Sequence, residues 1–485
     1  MTAETTAAGM AMRQVAIVGA GIAGLGLGIR LKRSGQDDFV ILERGADVGG
    51  TWRDNVYPGA SCDIPSTLYE YSFRPNPLWS RRFAPGAEIH RYLRDAAEQE
   101  GLLPHLRLDC AVNAARWDAE DECWRLDTAD GPVRARVLVM AAGRLSEPRL
   151  PEVSGLDEFE GRAFHSSRWD RRSLTDLRVG VVGTGASAVQ LIPEIASDVE
   201  SLVVFQRSPA WVLPRNDRGY TATETRPGRA ELARDAEELF AARLHGSPAA
   251  AELERTAREH LHAQVPAGRL RDSLTPDYEI GCKRAVFSNS YFPALQRPNV
   301  VLEPSALQSV DRSGVTSADG QHHEVDVLIF ATGFETTQPP FARIVTGRTG
   351  SLAEHWSAGM TSYASTVVHG FPNLFVLDGP NSALGHHSAF EVIEAQFDYV
   401  LGALDHLRTV GYPLEVTRAA EESYTELIDR LAARTVWLHG NCSSWYRDES
   451  SNRLTLVWPE RATTFRRLNS TFDPSVFQPL STRVS

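Results

Sequence analysis

The chain has 485 residues, enough for two or three hydrophobic cores of roughly 150 residues each. Its 50 Lys and Arg against 62 Asp and Glu give a formal net charge of -12, a field that repels nucleic acid and anionic membrane, so neither is expected as a partner. No run reaches the roughly 18 apolar residues of a membrane-spanning helix, and the five cysteines (Cys62, Cys110, Cys123, Cys282, Cys442) are scattered and never spaced as C-x-x-C, which points to a reducing compartment, the cytoplasm, and away from a disulfide framework or a zinc site.

The opening stretch, MTAETTAAGMAM, has no basic start and no apolar segment, so it reads as a loose tail and not an export signal. An apolar run over 14–18 leads into GAGIAG from Gly19, a helical pattern of Leu25, Leu27, Ile29 and Leu31 follows, and a second apolar run over 39–42 ends at Glu43. This is strand, glycine turn, helix, strand. Gly19, Gly21 and Gly24 satisfy Gly-x-Gly-x-x-Gly: the first permits the tight turn, the second lets a pyrophosphate approach the backbone, and the third lets helix pack on strand. The phosphates then rest on the free N–H groups of the helix N-terminus, and Glu43, 24 positions after Gly19, stands where a carboxylate accepts from ribose hydroxyls.

The same order returns at 179–182, with GTGASA from Gly183, a helix through Ile195 and a strand over 202–205. Gly183, Gly185 and Ala188 repeat the turn in its Gly-x-Gly-x-x-Ala form, with Ser187 beside them. The counterpart of Glu43 is Arg207, again 24 positions on. A carboxylate there would repel a 2′-phosphate, whereas a guanidinium binds one with two parallel hydrogen bonds, so NADPH is favoured over NADH.

From 216 to 276 the composition shifts to Glu, Arg and Ala, with Leu232, Ala236, Leu239 and Phe240 at helical spacing. The pattern fits a helical insertion covering a site and equally a solvated surface excursion. The runs 325–330, ending in ATGF, and 374–377, before DGPNS, read as strands rejoining the first domain. The expected fold is therefore α/β, with two Rossmann-like dinucleotide-binding domains and a helical insertion. The first domain, for FAD, comprises 12–150 and 326–485; the second, for NADPH, comprises 151–215 and 277–325; the insertion is 216–276.

A flavin beside a nicotinamide accepts a hydride, and what the reduced flavin then reduces is set by the surroundings. A disulfide reductase would need a close cysteine pair, and the sequence has none. Reductase or dehydrogenase chemistry needs little beyond the two cofactors. Reaction with oxygen demands a dry pocket with a positive charge. Two segments bear on the choice. In FEGRAFHSSRWD, the residues Phe159, Gly161, His165, Trp169 and Asp170 fit Phe-x-Gly-x-x-x-His-x-x-x-Trp-Asp; GGTWRDNVYPGASCD runs from Gly49 to Asp63. Both resemble signatures of the Baeyer–Villiger monooxygenases, the first lying on what should be a linker between the two nucleotide units. IPSTLYEYSF, GCKRAVFSNSYFPALQRPNV, ATGF, GPNSALGHHS and CSSWYRD are similar to that family as well, and the resemblance extends over about 14–460.

The resemblance implies NADPH- and O2-dependent oxygenation of a ketone to an ester or lactone through a flavin C4a-peroxide. It places the catalytic arginine at Arg284, paired with and oriented by Asp63, and it makes Lys283 an assistant to Arg207 at the 2′-phosphate. Trp445 corresponds to a tryptophan reaching NADP and the substrate cavity, with a core aromatic as the rival reading. Thr51 and Trp52 are expected along the flavin and Asn381 near its ring, while His165 and Trp169 couple domain motion to cofactor handling. His386 and His387 have no metal-like partner, and no metal is expected. The chain is short for the family, implying that loops or an N-terminal extension of longer members are missing. The alternatives are a flavin monooxygenase of the same fold acting on nitrogen or sulfur, and a flavin-binding protein without turnover.

Overall fold

The computed structural model describes residues 12–221 and 227–480; the stretch read as a tail lies outside them up to residue 11, as does 222–226 of the expected insertion. Two sheets organise the chain. The first has the order Val345–Thr346, Val112–Asp118, Cys123–Thr128, Val133–Met140, Met12–Val18, Phe39–Leu42 and Leu106–Arg107, with Leu374–Val376 also on Val133–Met140. Met12–Val18 pairs in parallel with Phe39–Leu42 and with Val133–Met140. All four residues of Phe39–Leu42 are buried, as befits a parallel strand covered on both faces. One face carries the helix Ile22–Arg33, whose Leu25, Leu27, Ile29 and Leu31 pack in a core with Phe390 and Phe397 of the long helix Ala389–Val410.

The second sheet is parallel throughout, in the order Val300–Glu303, Ser201–Phe205, Arg178–Val182, Val327–Phe330 and Arg162–His165. Two expectations are corrected here. The run 325–330 does not rejoin the first sheet: Val327–Phe330 enters the middle of the second, with Val327 beside both Val179 and Arg162. A four-residue apolar run carries no signal of which sheet it completes; the three-stranded antiparallel unit of Leu307–Val310, Gly314–Ser317 and His322–Glu324 turns the chain back over the second sheet. Nor is Phe159 to Asp170 only a linker, because Arg162–His165 is the edge strand of this sheet. Gly161 is forced by that placement, since a Cβ there would stand 2.5 Å from the Asp326 carbonyl oxygen. By contrast, Leu374–Val376 joins the first sheet, against Leu138 to Met140.

Beyond residue 226 the insertion consists of Arg229–Glu238, the tight turn Leu239–Arg243, Pro248–Gln264 and Arg269–Ser273. The segment is helical, with one face packed on the protein and the other solvated. Pro248–Gln264 buries Ala250, Ala257 and Leu261 and turns outward an ion-paired row of Glu252, Arg255 and Glu259. No helix among the described residues is long and apolar enough to cross a membrane.

The cysteine expectation is overturned in part. Cys282 and Cys442 form a disulfide, with their Cα atoms 6.2 Å apart across 160 residues of sequence, while Cys62, Cys110 and Cys123 are free and buried. Spacing along the chain is blind to such a pair. The fold alone brings the turn before Lys283 against the segment after Gly440, so closely that a Cβ on Gly440 would lie 2.7 Å from that of Cys282.

Candidate active site between the two dinucleotide units

Each glycine turn is built by the same close approach. Gly19 has φ +108° and Gly183 φ +115°, and a Cβ on either would strike a carbonyl oxygen of the neighbouring strand end, Ala141 at 2.4 Å and Ala331 at 2.5 Å. Gly24 packs so tightly that a Cβ would sit 1.9 Å from the Gly19 carbonyl oxygen. The bare backbones of Gly21 and Gly50 face each other across the mouth of the first turn, leaving a floor that a dinucleotide pyrophosphate fits. Glu43 is buried at the end of its strand and accepts from the backbone N–H of Ala20 at 2.8 Å and from Arg53 at 2.7 Å, which fixes its carboxylate beside that turn. In the second unit Gly185 opens onto free space. Arg207 is exposed at the strand end, and the Lys283 ammonium is held low by burial and by the charge of Arg207. Asp277 opposes this only in part, and two cations brought together suit a phosphate.

Segment 49–63 spans the two units. Thr51 and Trp52 open the short helix Thr51–Asp54, and the Trp52 indole donates to Tyr69 Oη at 3.2 Å. Tyr57 reaches the second unit and donates to Gln190 Oε1 at 2.9 Å. At the far end Asp63 accepts from Arg284 Nε at 3.0 Å and from Nη2 at 2.7 Å, so the two residues that the resemblance paired meet in a forked ion pair. Burial pushes the Asp63 carboxyl up, but the charge and hydrogen bonds of Arg284 outweigh it and hold the group below the usual carboxylate range. The same carboxylate raises the Arg284 guanidinium against its own burial. What results is a permanent cation, oriented from behind, with 29% of its side chain still exposed.

Trp445 is 38% exposed, its ring centroid 4.4 Å from that of the buried Tyr446 in a tilted contact, and the Tyr446 hydroxyl lies in the field of Arg284. Trp445 is therefore not a core aromatic. The Asn381 side-chain amide donates to the carbonyls of Leu454 and Val457, so it fixes the turn after Asp378. His165 is buried, accepts at Nδ1 from the Ser167 backbone N–H, and packs on Phe334 beside ATGF. Burial lowers its pKa to about 4, so it stays neutral near pH 7. Trp169 packs edge-on against Phe164, and Asp170 pairs with Arg162 and Arg172. These residues brace the second sheet; none meets Arg284.

Sequence reasoning missed four residues. Tyr446 stood next to a quoted tryptophan, and Tyr57 inside a quoted signature, so the motifs held a signal for both. Arg144, buried against Asp378 in the first unit, and Arg243, buried in the insertion, had none, because an arginine in a charged stretch reads as solvated. Among the described residues no group of acidic, His or Cys side chains is placed to hold a metal ion.

Residues 16–226 match the pyridine nucleotide-disulphide oxidoreductase family. The chain is 42% identical over 481 residues to a Baeyer-Villiger monooxygenase of Streptomyces coelicolor, covering 96% of this chain and 92% of that protein. It is 40% identical over 496 residues to a Baeyer-Villiger monooxygenase of Pseudomonas aeruginosa, covering 99% and 94%. The crystal structure of OTEMO in complex with FAD and NADP superposes with a TM-score of 0.84 at 28% identity, covering 94% of this chain and 96% of that one.

Proposed function

The chain belongs to the Baeyer–Villiger monooxygenase family, and from that premise we propose that it inserts one atom of O2 beside a ketone carbonyl, giving an ester or lactone, with NADPH as reductant and Arg284 as the central charge of the site. The observation that carries the reading is the forked Arg284–Asp63 pair at the junction of the two units. Bound FAD supplies the redox chemistry, accepting a hydride from NADPH and activating oxygen. Gly19, Gly21, Gly24 and Glu43 would hold it, with Thr51 and Trp52 alongside. Gly183, Gly185, Ser187, Arg207 and Lys283 would hold the nicotinamide nucleotide, with Trp445 over it.

The residues' own work is electrostatic. Arginine keeps its proton at any working pH and offers N–H donors in a fixed plane, so negative charge developing on an oxygen beside Arg284 is stabilised without a proton transfer. Asp63 holds the guanidinium plane and offsets the desolvation of its charge. Tyr446 shields the cation from solvent, which strengthens its field. His165, neutral and packed, serves no acid or base step; with Trp169 it ties ATGF to the sheet edge and so couples the second unit to its cofactor. A cytoplasmic setting, with its NADPH supply, suits this reaction, and there the Cys282–Cys442 bond is sheltered on one side by the full burial of Cys282.

Mass spectrometry of products from a panel of ketones, sulfides and amines under labelled O2 tests the reaction. Ester or lactone carrying one labelled atom is expected; heteroatom oxides alone, with no ketone gaining oxygen, would overturn it. For the coenzyme, Arg207→Ala is expected to raise the KM for NADPH about ten- to hundredfold, the loss of a charge-assisted pair to phosphate, with the KM for NADH little changed. An equal loss for both coenzymes would remove Arg207 from the 2′-phosphate.

A further inference from the structure

Among the described residues Arg243 is the one arginine that is buried outright, and it differs from three half-buried ones that have carboxylate partners. Arg284 has Asp63, Arg53 has Glu43 and Arg144 has Asp378. Arg243, at the end of Leu239–Arg243 in the insertion, is only 9% exposed and forms no ion pair among the described residues. Its guanidinium donates to two backbone carbonyls, that of Gly385 from Nε at 3.2 Å and Nη2 at 2.9 Å, and that of Ala242 from Nη1 at 3.5 Å. A buried cation without a counter-charge is expensive, and the group shows it: burial, joined by the charge of Arg284, lowers its pKa to about 10 although Tyr446 opposes.

Two unmet polar groups belong to the residues next to Gly385 in sequence and in space. His386, next in sequence to Gly385, is 4% exposed with no hydrogen-bond partner for either ring nitrogen. Burial and the adjacent Arg243 hold that imidazole neutral, so it offers one N–H. Trp437 is 1% exposed, its indole N–H has no partner, and its ring edge would touch any side chain placed on Gly385, 2.8 Å from a Cβ there. The cluster thus holds a guanidinium, an indole N–H and an imidazole N–H, with no carboxylate bonded to them among the described residues; the Trp437 ring lies 6.1 Å from that of Tyr446, and Arg243 Nη1 would stand 3.2 Å from a Cβ on Gly281, three residues before Arg284.

We propose that Arg243, Trp437 and His386 form a carboxylate subsite of the substrate pocket, and that the ketone this enzyme takes is an oxo acid, its carboxylate on Arg243 and its carbonyl toward Arg284. The proposal rests on the oxygenation reading above. A carboxylate supplies the missing counter-charge and accepts from all three donors, and it separates two cations that otherwise repel each other. A neutral ketone of equal length leaves the Arg243 charge without a counter-ion and the Trp437 and His386 N–H groups unmet, which is how a site built for a polar group rejects an analogue lacking it.

The test uses the FAD-loaded enzyme with oxohexanoate, oxoheptanoate and oxooctanoate, each against its methyl ester. In the wild type, at one chain length or more, kcat/KM for the acid is expected to exceed that for the ester about ten- to hundredfold, the range of a charge-assisted contact. In Arg243→Met the preference disappears through KM for the acid. Trp437→Phe, which keeps the ring and removes the N–H, lowers the preference several-fold and carries the test if Arg243→Met does not fold. Equal rates for acids and esters at all lengths in the wild type, or an acid preference undiminished in the variants, would overturn the subsite. Heptanoate, which has no ketone, separates this from failure of the oxygenation reading. Saturable quenching of tryptophan fluorescence by heptanoate, lost in the variants, supports the subsite even if no ketone is oxygenated; its absence in the wild type refutes it.

Discussion

Arg284→Ala is expected to lower the rate of ketone oxygenation about 100- to 1000-fold, the usual loss on removing a donor aimed at developing oxyanion charge, while NADPH still bleaches the flavin at a rate within a few-fold of wild type. The split follows from geometry. On the proposed reading the glycine turns, which Arg284 does not touch, would hold both cofactors for the hydride step, whereas negative charge on oxygen would develop at the junction where its guanidinium lies. Stopped-flow absorbance for the reductive half and product analysis for the oxidative half measure the two separately. Equal product formation by variant and wild type would remove the arginine from the reaction, and an equal loss in both halves would make it a structural residue only.

The second large effect concerns Asp63. Asp63→Asn keeps the shape of the side chain but removes the charge and one oxygen that now receive Nε and Nη2 of Arg284. The guanidinium plane is then free to turn, and a misplacement of about 1 Å costs about 100-fold in rate. We expect kcat to fall by that order with KM for NADPH nearly constant. The pH dependence has a definite sign. Because the carboxyl is held below its ordinary value, the stabilisation it contributes is complete above the ordinary carboxylate range and is lost only as pH falls through the lowered folded value. Wild type should accordingly show no rate limb from Asp63 near neutrality, and its denaturation midpoint should decline on the acid side more steeply than that of Asp63→Asn. Parallel acid profiles for the two proteins would show that the pair contributes nothing.

What could be read beforehand followed from how local each signal is. The two glycine turns, Glu43 and Arg207 were legible because strand, turn and helix are one contiguous unit whose backbone needs forbid most other residues, as the 1.9 Å approach at Gly24 illustrates. Arg284 and Asp63, 221 residues apart, were legible only by resemblance; in isolation each is an ordinary charged residue after a cysteine. Val327–Phe330 misled because burial, and not sheet membership, determines an apolar strand's composition. The amide bonds of Asn381 to Leu454 and Val457 had no signal in the sequence, because those partners lie more than seventy residues away. Arg243 was hidden by the stretch around it, where one helix face is solvated and the residue that matters points the other way.

The sulfur bridge at 282 and 442 has a kinematic consequence. Arg284 follows one half of it by two positions and Trp445 follows the other by three, so the charge at the centre of the cleft and the aromatic at its rim hang from one short crosslink. Neither can peel away while the other stays. A displacement of either segment is therefore passed to the other through the bridge, and the spacing between Arg284 and Trp445 is limited by two short tethers.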